Sequence, residues 1–326
     1  MLFQTTIDIK PFDRKIDHRE RILSLGSCFA DNIAKRLQRS KFCVTASPTG
    51  ILFNPESIAC TIERFAEAGR NNNALPTKEE LHNGNGVWFS YDFHSSFSHT
   101  NADVALEQMR KAIACGAEAL AKTEVVVITF GTAFAYYTEG RVVANCHKQP
   151  QKLFSREMLS VSDIVQRYTE LLRGAFNGKR VIFTLSPVRH LGDGLEENSL
   201  SKATLRVAIA DIVRQADNAE YFPSYEIMMD ELRDYRFYAD DMAHPSSLAV
   251  DYIWERFSQT AFAPQTLDVI KRVESITTAA EHRPFNPTSD AHRNFCRQML
   301  KQIEQLQAEY PSICFDWEKE KFNTYL

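Results

Sequence analysis

Apolar positions along the chain fall into two rhythms. Short apolar runs rich in β-branched residues occur at 22–25 (ILSL), 124–130 (EVVVITF), 180–186 (RVIFTLS) and, more weakly, 221–228 (YFPSYEIM). Such runs predict strands, and runs apolar on both faces suit a parallel sheet covered by helices. Between them the period lengthens. Phe29, Ile33 and Leu37 recur at helical spacing, as do Ile58, Ile62 and Phe65. Further helices are expected over ADVALEQMRKAIACGAEALAK, VSDIVQRYTELLRGAF, SLSKATLRVAIADIVRQA and SSLAVDYIWERFSQTAF. Strand runs alternating with helical patterns predict an α/β fold with helices on both faces of a mainly parallel sheet.

Two regions break the alternation. Residues 68–100, with NGNG and DFHSSFSHT, lack periodicity and predict an irregular excursion from the sheet, of a size that often carries substrate contacts. After about residue 265 the chain becomes charged and helical, interrupted by the two prolines of EHRPFNPTSD. The expected organisation is an α/β domain over 1–265 and a C-terminal helical appendage over 266–326.

Composition narrows the function classes. The chain has 38 basic and 42 acidic residues in 326, mixed along its length, for a net charge of -4. It shows no basic stripe to neutralise phosphates, so nucleic acid is not an expected partner. Seven scattered cysteines without a CxxC pair are expected to be reduced thiols. No apolar window approaches the ~20 residues of a membrane span, and the N-terminus lacks a signal-peptide pattern. A cytoplasmic protein is expected.

The candidate chemistry begins at LSLGSCFADN, 23–32, where a glycine and a serine follow the first strand and a helix begins. A serine there sits at the edge where open α/β sheets bind ligands, and the N–H groups of the first helical turn could stabilise an oxyanion. Serine is also a preferred N-cap, so the position alone does not separate a nucleophile from a cap. The stretch DDMAHPSS, 240–247, supplies a partner: Asp241 stands three residues before His244, close enough to orient its ring and fix the tautomer of a general base. Pro245 suits the first position of the helix that follows.

The segments LGSCFADNIAKRL, GILFNPESI, VVITFGTAFAYY, VVANCHKQP, SPVRHLGDG and HRPFNP together closely resemble the GSCFA family, and the strand–Gly-Ser and Asp-x-x-His-Pro signals are similar to those of the SGNH (GDSL-like) hydrolase superfamily. The resemblance runs from about residue 20 to about residue 300. It implies a three-layer α/β/α sandwich with a flavodoxin-like sheet and an ester-cleaving or acyl-transferring site. Carried over by position, Ser27 becomes the nucleophile, His244 the general base and Asp241 its orienting partner. The Ser27 N–H and Gly50 become oxyanion donors, with Asn54 in the same segment as Gly50.

One departure from the superfamily stands out. An asparagine is expected shortly after the third-block glycine, whereas this strand runs into Gly131, Thr132, Ala133 and Phe134. Thr132 or Asn145 is the candidate replacement, and His147 and Arg189 are candidate substrate contacts, Arg189 for an anionic part. Cys28 is the competing nucleophile, favoured by a helix N-terminus but expected to pack as a small hydrophobe. The expected activity is a serine esterase acting on a small acyl ester, with an acetylated carbohydrate as the substrate class the superfamily suggests. An acyltransferase using the same triad and a non-catalytic ligand-binding protein are the alternatives. The chemistry calls for no cofactor and no metal.

Overall fold

The computed structural model describes residues 4–71 and 74–326; Met1–Phe3 and, within the 68–100 excursion, Asn72 and Asn73 lie outside the described residues. Five strands form a parallel sheet: β1 (Arg21–Gly26), β2 (Cys43–Ala46), β5 (Val125–Phe130), β9 (Arg180–Leu185) and β10 (Ala219–Phe222). Their spatial order is β10-β9-β5-β1-β2. Counted along the sheet strands alone this is 2-1-3-4-5, the flavodoxin-like doubly wound order. The register sets Ile22 opposite both Val44 and Val125, and Val126 opposite Val181. Every residue of β5 and β9 is buried, which is why both strands read as unbroken apolar runs.

Helices cover both faces. One face packs α2 (Pro55–Ala68), α3 (Ala102–Lys122), α4 (Val161–Arg173) and α5 (Leu195–Gln215) around Ile58, Phe65, Met109, Tyr168 and Ile209. The other packs α1 (Cys28–Arg39) and α7 (Ser247–Ala261) around Phe29, Ile33, Ile253 and Phe257. Small antiparallel elements emerge on the rim: the hairpin β3 (His82–Gly84)/β4 (Val87–Phe89) within the excursion, and β6 (Phe134–Thr138), β7 (Arg141–Val143) and β8 (Ser155–Met158) between β5 and α4.

The fourth predicted strand is shorter than its sequence run. Pro223 ends β10, and the chain turns through α6 (Ser224–Glu226) into a π-helical turn at Ile227–Glu231. Pro245 does not open a helix: α7 starts at Ser247, capped by the Ser246 hydroxyl, which accepts from Ala249 N–H. Pro245 instead bridges to Tyr238.

The C-terminal helices α8 (Pro264–Glu281), α9 (Asp290–Glu309) and α10 (Asp316–Asn323) enclose a core of their own around Val273, Ile276, Ile303 and Phe315. Ile270 of α8 belongs to the sheet-domain core instead, so one helix serves both. Ion pairs Arg39–Glu281 and Lys41–Glu318 and a hydrogen bond from Ser312 Oγ to the His18 carbonyl add further ties. The HRPFNP segment itself projects outward, with Phe285 97% exposed.

Candidate active site

The strand order reverses between β1 and β5, and a doubly wound sheet offers its ligand crevice at the C-terminal ends of the strands at such a point. Ser27 follows β1 there and Gly131 follows β5. The turn after β1 needs glycine: Gly26 has φ +132°, and a Cβ on it would lie 2.2 Å from the Thr129 carbonyl oxygen. Across the gap, a Cβ on Gly131 would lie 2.9 Å from the Phe53 carbonyl oxygen and 3.4 Å from Ser27 Cβ. Two glycines therefore let three backbone segments meet at the serine.

Ser27 takes the N-cap position of α1, but its side chain makes no capping hydrogen bond. The hydroxyl is buried, the residue only 1% exposed, and Oγ has no partner among the described residues. A buried hydroxyl left unpaired in this way costs free energy, so ordinary helix capping does not explain the serine.

The expected backbone oxyanion donors are already committed. Ser27 N–H extends the β1–β5 ladder by donating to the Thr129 carbonyl at 3.2 Å, and Gly50 N–H donates to the Ser47 carbonyl at 2.7 Å in a tight turn with φ +88°. Gly50 packs against His94 Cβ and does not line the crevice.

A pocket of about 570 Å³ opens over this edge, lined by Cys28, Asn54, Thr132, Asn145, His190 and His244 among others. His244 stands on a loop held from several sides. Arg189 N–H donates to the Ala243 carbonyl at 3.1 Å, Ala239 N–H to the His244 carbonyl at 2.8 Å, and Met242 adopts φ +57°. Asp241 Oδ2 meets His244 Nδ1 at 2.6 Å, while its Oδ1 accepts both the His244 and the Ala243 backbone N–H at 2.9 Å. Those backbone donors, His244 first, together with the ring, hold the Asp241 carboxyl down at about 2. An ionised Asp241 at Nδ1 leaves Nε2 as the nitrogen turned to other work.

Two side-chain amides remain to donate. Asn54 Oδ1 caps α2 by accepting from Ser57 N–H at 2.8 Å, and Asn145 Oδ1 accepts from His147 N–H at 2.8 Å. Each acceptor is used locally, while neither amide nitrogen has a partner among the described residues and both residues line the pocket. Thr132 is spent on scaffold: its hydroxyl pairs with Ser201 Oγ at 3.1 Å and accepts Phe134 N–H. His147 is scaffold as well. Its Nε2 faces the Ser90 and Phe93 carbonyls, its ring stacks on Phe89, and it does not line the pocket; burial lowers its pKa.

Lys202 is a buried side chain at this sheet edge that the sequence analysis did not single out. It is 2% exposed, and its Nζ donates to the Gly131 carbonyl at 2.6 Å and the Ser186 carbonyl at 2.8 Å, joining the ends of β5 and β9. No carboxylate lies within ion-pair distance among the described residues, and burial lowers its pKa to about 7. Burial, with the Lys202 charge second, also lowers His190 to about 4. The signal was in the helical period: Lys202 shares the buried stripe of Leu205, Ile209 and Ile212.

Cys28, at the first position of α1, lines the pocket where Ser27 does not. Burial and Asp31 raise its pKa against the lowering by its own and the Phe29 backbone N–H, so the environment does not favour the thiolate. All seven cysteines are free. Among the described residues no cluster of three or more His, Cys, Asp or Glu side chains could hold a metal ion, and no helix is long and apolar enough to cross a membrane.

A family model for the GSCFA family matches residues 21–257, almost three quarters of the chain and all of the strands and loops just described. The chain belongs to the GSCFA family. The model of the GSCFA C-terminal domain matches residues 273–326, so the C-terminal helices are a family feature too. No curated protein and no solved structure matches the chain. Family membership therefore carries the architecture, and the chemistry has to be argued from the site.

Proposed function

We propose that this GSCFA protein is a serine esterase of the SGNH (GDSL-like) type acting on a small acyl ester, for which an acetylated carbohydrate is one candidate. The observation that carries the reading is the Asp241–His244 pair at 2.6 Å on the pocket wall, together with the buried, non-capping and unpartnered hydroxyl of Ser27 beside the pocket-lining Cys28. Ser27 Oγ attacks the ester carbonyl, and His244 Nε2 accepts its proton. His244 then returns that proton to the leaving alcohol, and water hydrolyses the acyl-serine. Asn54 and Asn145 would donate to the oxyanion in place of the committed backbone N–H groups. A second alcohol in place of water would make the same machinery an acyltransferase.

A non-catalytic binding protein is the reading favoured by one specific observation, the enclosure of Ser27 Oγ beneath the pocket lining. Labelling with a fluorophosphonate probe, mapped by mass spectrometry, separates the two. The esterase reading expects label on Ser27, its absence in Ser27→Ala, and a rate lower by about two to four orders of magnitude in Asp241→Asn. A folded wild-type protein that takes no label at Ser27 would reject it.

A further inference from the structure

The charges around the pocket do not balance. Asp193, the one carboxylate lining it among the described residues, is taken by Arg156 at 3.0 Å, and Asp241 is held by His244. Arg189, on the pocket wall, lacks a carboxylate within ion-pair distance among the described residues, whereas Lys202 spends its Nζ on the Gly131 and Ser186 carbonyls and does not line the pocket. The Arg189 guanidinium lies 4.2 Å from the ring centre of Tyr238 and 5.5 Å from that of Tyr235. Arg189 also lines an adjoining recess of about 190 Å³ that carries a second guanidinium, Arg233. The Arg233 side chain is 80% exposed, with Asp230 at 3.9 Å its one ion-pair partner among the described residues, and Asp234 in the same recess turns to Arg236, accepting its backbone N–H at 2.9 Å.

Arg189 is half-buried, and a partly desolvated guanidinium without a counter-charge leaves a cost that a bound anion would offset. The Arg189 guanidinium also meets the Tyr238 hydroxyl, and its remaining N–H groups can fork onto the two oxygens of a carboxylate or phosphate, a geometry an ammonium cannot match. We propose that the pocket selects acid-bearing esters, whose carboxylate or phosphate group docks on Arg189 where pocket and recess meet. This names the substrate class of the proposed esterase. It rests on that reading for the ester, and on the charge imbalance alone for the anion.

The test is thermal denaturation of the full-length Ser27→Ala variant, beside wild type, with succinate, inorganic phosphate or the neutral succinamide added. Succinate or phosphate should raise the melting temperature, less so as sodium chloride is increased, and succinamide should not. The stronger of the two anions identifies the acid group. Arg189→Met should weaken that anion by about tenfold to a hundredfold, and Arg189→Lys should restore part of the loss. Equal protection by succinamide, unchanged affinity in Arg189→Met, or no protection by either anion would overturn the proposal. Should Arg189→Met not fold, Arg189→Gln takes its place with the same outcomes. Ser27→Ala cannot form an acyl-enzyme, so anion binding succeeds or fails independently of fluorophosphonate labelling.

Discussion

Ser27 Cβ stands 3.4 Å from the point where a side chain on Gly131 would begin, and the same point is 2.9 Å from the Phe53 carbonyl oxygen. The serine is thus placed by a neighbour with no side chain, just past the end of a different strand and 104 residues away in sequence. Gly131→Ala forces either the Phe53 loop or Ser27 to move. We expect a loss of about 1–3 kcal/mol in denaturant unfolding, together with slower fluorophosphonate labelling. An unchanged midpoint and labelling rate would show that the close approach is not needed.

Asn54 and Asn145 can be tested without dismantling their turns. Aspartate keeps the oxygen that accepts Ser57 N–H or His147 N–H and removes the amide donor. Whichever residue donates to the oxyanion should lose about a hundredfold to a thousandfold in labelling rate as Asn→Asp, with its thermal midpoint little changed. If both variants label at the wild-type rate, neither amide is the donor.

The pH dependence of stability should carry the mark of Lys202. Its folded pKa of about 7 lies below the ordinary lysine value of 10.5. Below pH 7 both states hold the proton and the burial cost is fully present. Between about pH 7 and pH 10.5 the unfolded chain holds a proton the folded one has lost, so this group makes stability rise with pH. The contribution is on the order of a few kcal/mol across the window. Buried thiols with raised pKa values, Cys28 and Cys60 among them, pull the other way, so the readout is a difference. Lys202→Met should gain less stability than wild type between pH 7 and pH 10 in urea titrations; parallel curves would mean that Lys202 does not titrate there.

Cys28 should be dispensable. Cys28→Ala is expected to label at Ser27 within a few-fold of wild type, and iodoacetamide should alkylate Cys28 slowly at neutral pH because its thiol is held protonated. Loss of labelling in Cys28→Ala, together with rapid alkylation at pH 7, would move the nucleophile one residue along the chain.

Much of the fold is legible in the sequence. β5 and β9 are buried on both faces and announced themselves as apolar runs, and α3 spans the very segment its period predicted. β2 left no such trace. Cys43–Ala46 is a short edge strand with no fully buried residue, so nothing in CVTA distinguishes it from a loop. The Asp241–His244 pair was legible because three-residue spacing brings the two side chains together locally. Which backbone N–H groups are free was not, because the Ser27 and Gly50 N–H groups are taken by the Thr129 and Ser47 carbonyls, and so depend on the strand register and the turn. Lys202 was not singled out, although its helical stripe pointed inward.

The sharing of α8 between two cores bears on how the chain comes apart. Ile270 is anchored under the sheet and Val273, less than one turn on, under the C-terminal helices. Melting either core strips packing from the same helix, so the two segments matched as separate family domains are mechanically one. Calorimetry should show a single heat-absorption peak, and a chain cut at the family boundary would leave each fragment with an exposed apolar flank.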